Sequence, residues 1–309
     1  GNLKKRIDVN QSNLNEEFFY DALNRLDYSQ RNGTTNFDIN YAPNGNVTYR
    51  SDYNVNGGSF GYGAKPHAVS QMSGSCGDNC CVWLDTFQYD ANGNQTVRVI
   101  AGVSSTVTWY SYNLPNTINL GPSNSSQFFY TPNRGRWKQV ANYGGTTETT
   151  IYVGGLLEKL TRGSVTEYRH NIPAGPSSTV VYTRRSNSTN STYYTTTDHL
   201  GSGTVSMDST GTTLVELSFG AFGKRRGAAW NDVPLPADWT QITAIGRDGF
   251  TGHEHLDNVG AIHMNGRVYD PLLGRFMSAD PVWVGDLDDP QSLNPYSYVG
   301  NRPMGIIDV

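Results

Sequence analysis

The sequence of 309 residues is polar, with 36% hydrophobic residues, 16% charged residues and a mean hydropathy of -0.52. Its net charge of -4 at pH 7 excludes the basic surface of a nucleic-acid-binding platform. No apolar run reaches the roughly 18 residues that a transmembrane helix requires.

The composition favours an all-β protein with many short turns. Aromatic residues make up 12% of the chain, which excludes a disordered protein because disordered chains are poor in aromatics. The 34 glycines supply turns, while tyrosine, valine and threonine favour strands. No long segment has the apolar period of an α-helix, which excludes a helical bundle.

A strand–turn–strand unit recurs in the first half of the chain at steps of about 20 residues. In each unit an aromatic residue precedes a turn that Asp or Asn closes with its own side chain. The clear copies are residues 18–26, 41–48 and 89–96, and weaker copies are residues 110–116 and 129–136.

Asn-Gly pairs lie between several of these strands. Because Asn-Gly accepts the two positive φ angles of a type I′ turn, we predict such hairpin turns at residues 32–33, 44–45, 56–57, 92–93 and 265–266. A single hairpin cannot bury a face, so successive hairpins must pair side by side. The sequence therefore predicts one coiled antiparallel β-sheet with aromatic side chains on its concave face.

Three cysteines, Cys76, Cys80 and Cys81, lie in one short stretch, and the rest of the chain has none. This pattern is not a disulfide framework, although a Cys76–Cys80 or Cys76–Cys81 loop is an alternative outside the cytosol. A zinc site would need a fourth ligand, for which His67 is the nearest candidate. We favour thiols on a loop, and we predict no metal and no cofactor.

Two polar clusters are weaker candidates for function. His253, Glu254 and His255, together with His263, lack the HExxH spacing of a helical zinc site. His253 and His255 would share one face of a strand, and we interpret this pair as surface or turn polarity. The run at residues 224–226, Lys-Arg-Arg, is predicted to be solvated.

The second half of the chain carries an ordered series of motifs. They are DHLGS at 198–202, VSMDSTG at 205–211, SFGAFGKRR at 218–226, GFTGHE at 249–254, GRVYDPLLGRFMSADP at 266–281 and NPYSYVGNRP at 294–303. The series resembles the Rhs-associated core domain. The hairpin units resemble the YD repeats of Rhs proteins and Tc-toxin C subunits, whose eukaryotic relatives are the teneurins. The resemblance is loose before residue 150 and tight from residue 198.

The resemblance implies a YD-repeat β-spiral over residues 1–197 and a continuous Rhs-associated core region over residues 198–309, forming part or all of a hollow shell. Such a shell encloses a C-terminal toxin polypeptide and works with a delivery apparatus or other toxin subunits. It also implies a bacterial protein that is secreted or on the cell surface, whose shell binds no nucleic acid. The alternative is an extracellular YD-repeat protein that binds receptors, other partners or glycans without catalysis.

The family's core domain is an aspartic-type autoprotease, so the resemblance implies at most a single-turnover self-cleavage. Matching the motifs assigns Arg267 in the RxYDP element, Asp280 in the SxDP element and Asp308 in a DPxG element. Two carboxylates that share a site hold one proton between them, and a guanidinium fixes one of them as the anion. In this sequence Asp308 is followed by Val309 alone, and we expect the natural polypeptide to continue and to be cut there. The structural alternatives are an Arg267–Asp270 ion pair and a capping role for Asp280.

Overall fold

The computed structural model describes residues 2–53, 56–75, 82–231, 233–281, 285–286, 289 and 291–307. Over these residues strands dominate the regular structure, and the α-helical content is a single segment, α1 (Pro236–Ile245). The predicted all-β, antiparallel fold is confirmed. Contacts divide the chain into two compact units, residues 1–106 with 269–309 and residues 107–268. The sequence boundary at residue 197 separates repeat from core motifs rather than compact units, and it stays a prediction.

In the first unit each strand pairs antiparallel with the next one along the chain. The strands are β1 (Lys5–Asp8), β2 (Leu14–Tyr20), β3 (Leu26–Arg31), β4 (Thr34–Tyr41), β5 (Val47–Arg50), β6 (Gly58–Tyr62), β7 (Val69–Ser75), β8 (Val82–Tyr89), β9 (Gln95–Ile100) and β10 (Val103–Trp109). Tyr20, Tyr41 and Tyr89 therefore end strands of one ladder, as predicted.

The second unit continues the same pattern of sequential antiparallel pairs from β11 to β20. These strands are β11 (Pro115–Asn119), β12 (Asn124–Tyr130), β13 (Arg136–Tyr143), β14 (Thr146–Val153), β15 (Leu157–Arg162), β16 (Val165–Pro173), β17 (Ser178–Arg185), β18 (Ser191–Thr197), β19 (Gly203–Met207) and β20 (Thr213–Glu216).

The motif-rich part of the chain has shorter elements. They are β21 (Ser218–Phe219), β22 (Arg225–Arg226), β23 (Glu254–Leu256), β24 (Ala261–Met264), β25 (Arg267–Asp270), β26 (Arg275–Phe276) and two 3-10 turns, Phe250–Gly252 and Val299–Asn301. β21 pairs with β22, β23 with β24, and β26 with the end of β25.

The aspartate of the repeat closes its turn through three hydrogen bonds. In the copy at 89–96, the Asp90 N–H donates to the Asn94 carbonyl (2.9 Å) and the Gly93 N–H donates to the Asp90 carbonyl (3.1 Å). The Asp90 carboxylate accepts the Asn94 N–H (2.9 Å). The strands leave this turn with a bulge, so that Tyr89 pairs with Gln95. The same aspartate-centred bonds recur at Asp21, Asp198 and Asp208.

The predicted turn type is correct at one Asn-Gly pair and wrong at three. Asn32 and Gly33 both have positive φ, 48° and 80°, as a type I′ turn requires. At 44–45 and 92–93 only the glycine has positive φ, and at 265–266 only the asparagine does. At 44–45 and 92–93 the Gly45 and Gly93 N–H groups donate to the Ala42 and Asp90 carbonyls, and only the glycine is left-handed. This is the arrangement of a type I turn followed by one left-handed residue.

Tyrosines that end strands of the first unit bond to the backbone of an earlier hairpin. The hydroxyl of Tyr41 donates to the Leu26 carbonyl (2.8 Å), and that of Tyr62 donates to the Val47 carbonyl (2.9 Å). Each ring thus adds buried apolar area, while its hydroxyl satisfies a backbone acceptor. Burial raises the pKa of Tyr62 to about 12.

Helix α1 lies between the SFGAFGKRR and GFTGHE motifs. Pro236 occupies the first helical position, and the Asp238 carboxylate accepts the Leu235 N–H (2.9 Å) at the N-terminus. Ile242 and Ile245 are buried against Val181 and Val215 of the sheet. The helix is therefore held by one short apolar face.

Candidate functional site

The structure places two of the three predicted catalytic residues. Arg267 is the first residue of β25, in the second unit, and Asp280 follows β26, in the first unit. The Asp280 N–H donates to the Pro295 carbonyl (3.0 Å). Asp308 lies outside the described residues. A joint site of these three side chains stays a prediction.

The aspartate of the RVYDP motif is a structural anchor. Asp270 is fully buried and forms an ion pair with buried Arg98 (2.9 Å). Its carboxylate also accepts the N–H groups of Leu272 (2.9 Å) and Leu273 (3.2 Å). Asp270 thus fixes the turn before β26 and neutralises a cation that would otherwise be buried without a partner.

The segments around DHLGS and GFTGHE dock on each other. The Thr251 N–H donates to the Ser202 hydroxyl (3.0 Å), and the Gly203 N–H donates to the Gly249 carbonyl (3.2 Å). Gly249 has no room for a side chain, because a Cβ there would lie 2.7 Å from the Phe219 ring. The spacing of these motifs therefore reflects packing within the second unit.

The interpretation of His253 and His255 as surface or turn polarity is wrong for His255. His255 is buried and its Nε2 accepts the Phe250 N–H (3.1 Å). Buried His263 lies 3.3 Å from the Tyr130 hydroxyl. Burial lowers the pKa of both imidazoles well below the usual range, so both are neutral core residues. His255 thus satisfies a buried backbone N–H, and His263 packs beside Tyr130.

Metal binding gains no support from the described residues, which contain no cluster of three or more His, Cys, Asp or Glu with metal-binding geometry. His67 bonds through Nδ1 to the Asn46 side chain (2.8 Å). The three cysteines lie outside the described residues, so the loop and thiol alternatives stay open.

The interpretation of the run at 224–226 as solvated is wrong for its central residue. Arg225 is buried, and its Nε donates to the Asp257 carboxylate (3.0 Å). Its Nη2 donates to the Arg247 carbonyl (2.7 Å). The sequence gives no sign of this, because Asp257 is 32 residues away along the chain.

A cavity of about 270 Å³ in the second unit is the clearest unassigned feature. It lies between the sheet strands β15–β20 and the α1 segment with the residues that follow it. Its apolar lining includes Val181, Val215, Leu217, Ile242 and Ile245. Its acidic lining consists of Glu158 and Asp248.

These two carboxyl groups stand close to a third one. Asp248 forms an isolated antiparallel bridge with Glu254. Glu254 is paired, because its carboxylate lies 2.6 Å from Arg136 Nη2 and accepts the Tyr152 hydroxyl (2.7 Å). The side-chain carboxyls of Glu158 and Asp248 accept no hydrogen bond from the described residues.

The pKa values of both cavity carboxyls are raised above the usual range. Desolvation, with the charges of Asp248 and Glu254, raises the pKa of Glu158 to about 8. Desolvation, with the charge of Glu254, raises the pKa of Asp248 to about 6. Asp248 is exposed and Glu158 is half-buried where they line the cavity, so desolvation acts more strongly on Glu158. Both carboxyls therefore hold a proton more readily than ordinary surface carboxyls do.

Sequence reasoning missed this acidic pair. Glu158 stands in LLEKL and Asp248 in GRDGF, without a repeat or a motif that marks a carboxyl pair. The available signal is weak: Asp248 precedes the GFTGHE motif, and Glu254 ends it. Glu158 and Asp248 lie 90 positions apart along the chain, so no local sequence pattern shows that both line one cavity.

The comparisons with known proteins agree with this fold. Residues 179–304 match the family model Teneurin YD-shell. The crystal structure of TcdB2-TccC3 superposes with a TM-score of 0.62 at 14% sequence identity, over 96% of this chain and 17% of that chain. A Tc holotoxin pore from Photorhabdus luminescens that carries a TccC3 variant gives a TM-score of 0.53 at 15% identity, over 99% of this chain and 18% of that chain.

A curated relative shares a shorter stretch. Salivary gland surface protein 1 of Aedes aegypti is 37% identical over 59 residues, which are 19% of this chain and 2% of that protein. The chain thus spans a small part of each of these proteins.

The aspartate-closed hairpins and their sequential pairing define a YD-repeat shell fold. The matched family model places residues 179–304 in the Teneurin YD-shell family, and the fold of the chain is that of the YD-repeat shells. The described residues contain no helix with the length and hydropathy needed to cross a membrane.

Proposed function

We propose that the chain is part of a secreted or cell-surface bacterial shell that encloses a C-terminal toxin polypeptide. The observation that carries this proposal is the fold shared with TcdB2-TccC3 over 96% of the chain. The partners in this proposal are the enclosed polypeptide, other toxin subunits and the delivery apparatus.

The proposal includes one chemical step, which releases the enclosed polypeptide. Asp280 and Asp308 share a proton, and Arg267 holds one carboxylate ionised. The ionised carboxylate takes a proton from water, whose oxygen adds to the scissile carbonyl carbon. The C–N bond then breaks, and the leaving amine takes the proton of the other carboxyl group. The step consumes one water and one peptide bond.

The self-cleavage is tested on the full open reading frame that contains this chain. We expect two bands on a denaturing gel for the wild type and one long band for Asp280→Asn or Asp308→Asn. The substitution keeps the shape of the side chain and removes the ionisable group, so cutting should be lost by several orders of magnitude.

Glu17→Gln is the matched control, since Glu17 forms an exposed ion pair with Lys5 (2.8 Å) in the first unit. It should be cut like the wild type. Equal melting temperatures of Asp280→Asn and the wild type show that folding is intact. If folded Asp280→Asn is cut at the wild-type rate, the aspartyl mechanism is wrong.

The second candidate function is partner binding at a cell surface without catalysis. It is favoured by the Teneurin YD-shell match and by the stretch shared with a salivary gland surface protein. For this function the open reading frame needs no enclosed polypeptide. A gel that shows one wild-type band, together with a reading frame that ends near the core region, supports it.

A further inference from the structure

The cavity in the second unit combines two chemically different walls. Ile242 and Ile245 of α1 face Val181 and Val215 of the sheet, and these four side chains form one buried apolar cluster. Glu158, from β15, and Asp248, which follows α1, add two carboxyl groups to the lining. An apolar cavity of this size would ordinarily be lined by side chains that need no partner.

The cations near the two carboxyls are engaged elsewhere. Arg136 binds Glu254 (2.6 Å), and Arg169 binds Glu167 (2.8 Å) and donates to the Thr243 carbonyl (2.9 Å). The carboxyl groups of Glu158 and Asp248 have no hydrogen-bond donor among the described residues. Glu158 is half-buried and Asp248 is exposed where they line the cavity, so both carboxyls are accessible to a cation that enters it.

The lining of the cavity favours an organic ammonium group over a metal ion. A metal ion is disfavoured, because the described residues near the pair do not form a set of three metal ligands. An ammonium group carries three donors, which suits two carboxyls with open acceptors. The apolar walls match an alkyl chain, and about 270 Å³ lies just below the usual volume range of small-molecule sites.

We propose that this cavity binds a primary alkylammonium, with its ammonium group between Glu158 and Asp248 and its alkyl chain against Val181, Val215, Ile242 and Ile245. The free ligand is a small amine. The ammonium stem of a lysine side chain has the same chemistry. The proposal rests on the second unit alone and does not depend on the shell function.

Binding of an ammonium group requires ionised carboxyls, so affinity depends on pH. The charged groups that face Glu158 are Asp248, Glu254, Arg169 and Arg136, and Arg225 also faces Asp248. The two acidic neighbours and burial favour the protonated forms, with the pKa of Glu158 raised to about 8. A bound ammonium offsets this repulsion, so binding should release protons and tighten as pH rises from about 6 to about 8.

The test is calorimetric titration of the 309-residue chain with n-hexylammonium chloride at about pH 8. We expect saturable binding with proton release, and a dissociation constant at least about tenfold higher for Glu158→Gln and for Asp248→Asn. Glu17→Gln, far along the chain in the first unit, should bind like the wild type. The neutral probe 1-hexanol should bind at least about tenfold more weakly than the ammonium.

Two further measurements show whether a loss of binding has another cause and whether a lysine side chain also binds. Circular dichroism and melting temperature check that Glu158→Gln and Asp248→Asn are folded, and the titration is interpreted for folded variants only. N-acetyl-lysine N-methylamide, compared with n-hexylammonium, shows whether a lysine side chain binds in the cavity as the free amine does. The proposal is overturned if the wild type does not bind n-hexylammonium, if 1-hexanol binds equally well, or if both folded variants keep the wild-type affinity.

Discussion

The carboxyl group of Glu158 differs from the buried charges of this protein in having no cationic partner among the described residues. Most buried charges in this protein have a partner, as Asp270 has in Arg98 and Glu148 has in Arg162 and Arg247. Glu158 instead faces a cavity and two further acidic groups. Such a group lowers stability when it is ionised, and proteins commonly keep one where a ligand compensates it.

The cost of ionising Glu158 predicts how stability depends on pH. Because its pKa is raised from 4.5 to about 8 on folding, the folded chain holds this proton more tightly than the unfolded chain. The stabilisation is complete below about pH 4.5 and is lost as pH rises through about 8. We expect the free energy of unfolding of Glu158→Gln to equal that of the wild type at about pH 5. At about pH 9 it should be about 2 kcal/mol larger than that of the wild type. This is less than the full shift would give, because the carboxyl borders an open cavity.

Urea denaturation at the two pH values measures this difference. Glu17→Gln serves as the control, since its carboxylate is exposed beside Lys5 and should show no comparable gain. A Glu158→Gln chain that is less stable than the wild type at the higher pH would contradict the burial argument.

Sequence reasoning placed Arg225 and His255 wrongly, because both are polar side chains that lie in the interior. Arg225 pairs with Asp257, which is 32 residues away, so no local pattern shows this partner. His255 accepts the nearby Phe250 N–H, and its burial depends on the elements packed around that turn. The cavity pair was missed because Glu158 and Asp248 are far apart along the chain. The motif resemblance identifies Arg267 and Asp280 as site residues, but a motif does not show how their side chains are arranged. Their joint role stays a prediction.

At the scale of elements, the hairpin unit was predicted well and its turn type was not. The Tyr-Asp-turn pattern located the strand ends at Tyr20, Tyr41 and Tyr89 correctly. Asn-Gly occurs both in type I′ turns and in type I turns followed by a left-handed glycine, so the dipeptide alone does not distinguish them. Helix α1 was missed because its apolar face consists of only a few residues.

Gly93 connects one hairpin turn to the C-terminal segment of the first unit. Its φ is 86°, and a Cβ would lie 2.5 Å from the Tyr296 hydroxyl, which donates to the Gly93 carbonyl (2.8 Å). We expect Gly93→Ala to cost about 1–2 kcal/mol of backbone strain and about 1 kcal/mol more from the displaced tyrosine. The midpoint of urea denaturation measures the loss.

Gly33→Ala is the matched control for this substitution. Gly33 has φ 80° in the same unit, but no atom lies within 4 Å of its added Cβ. It should therefore show the strain alone. In a Tyr296→Phe background the excess cost of Gly93→Ala should shrink, since the hydroxyl is gone. Equal losses for the two glycine variants in the wild-type background would show that the Tyr296 contact contributes nothing.

At the scale of the whole molecule, two compact units share one construction principle. Each is a run of sequentially paired antiparallel strands, and each includes motif segments that bond to its hairpins. In the first unit the Gln95 N–H donates to the Met277 carbonyl (2.8 Å), and in the second Thr251 bonds to Ser202. The class of fold followed from composition and repeats, whereas the division into units did not, because it depends on contacts between distant segments.

The most direct test of the shell function is limited proteolysis of the full open reading frame product with proteinase K. We predict that a polypeptide C-terminal to the core region resists digestion while the shell is folded and is degraded rapidly once the shell is denatured. The Asp280→Asn variant keeps that polypeptide attached and should protect it equally. Digestion of this polypeptide at the same rate in the native and the denatured protein would contradict the proposed enclosure.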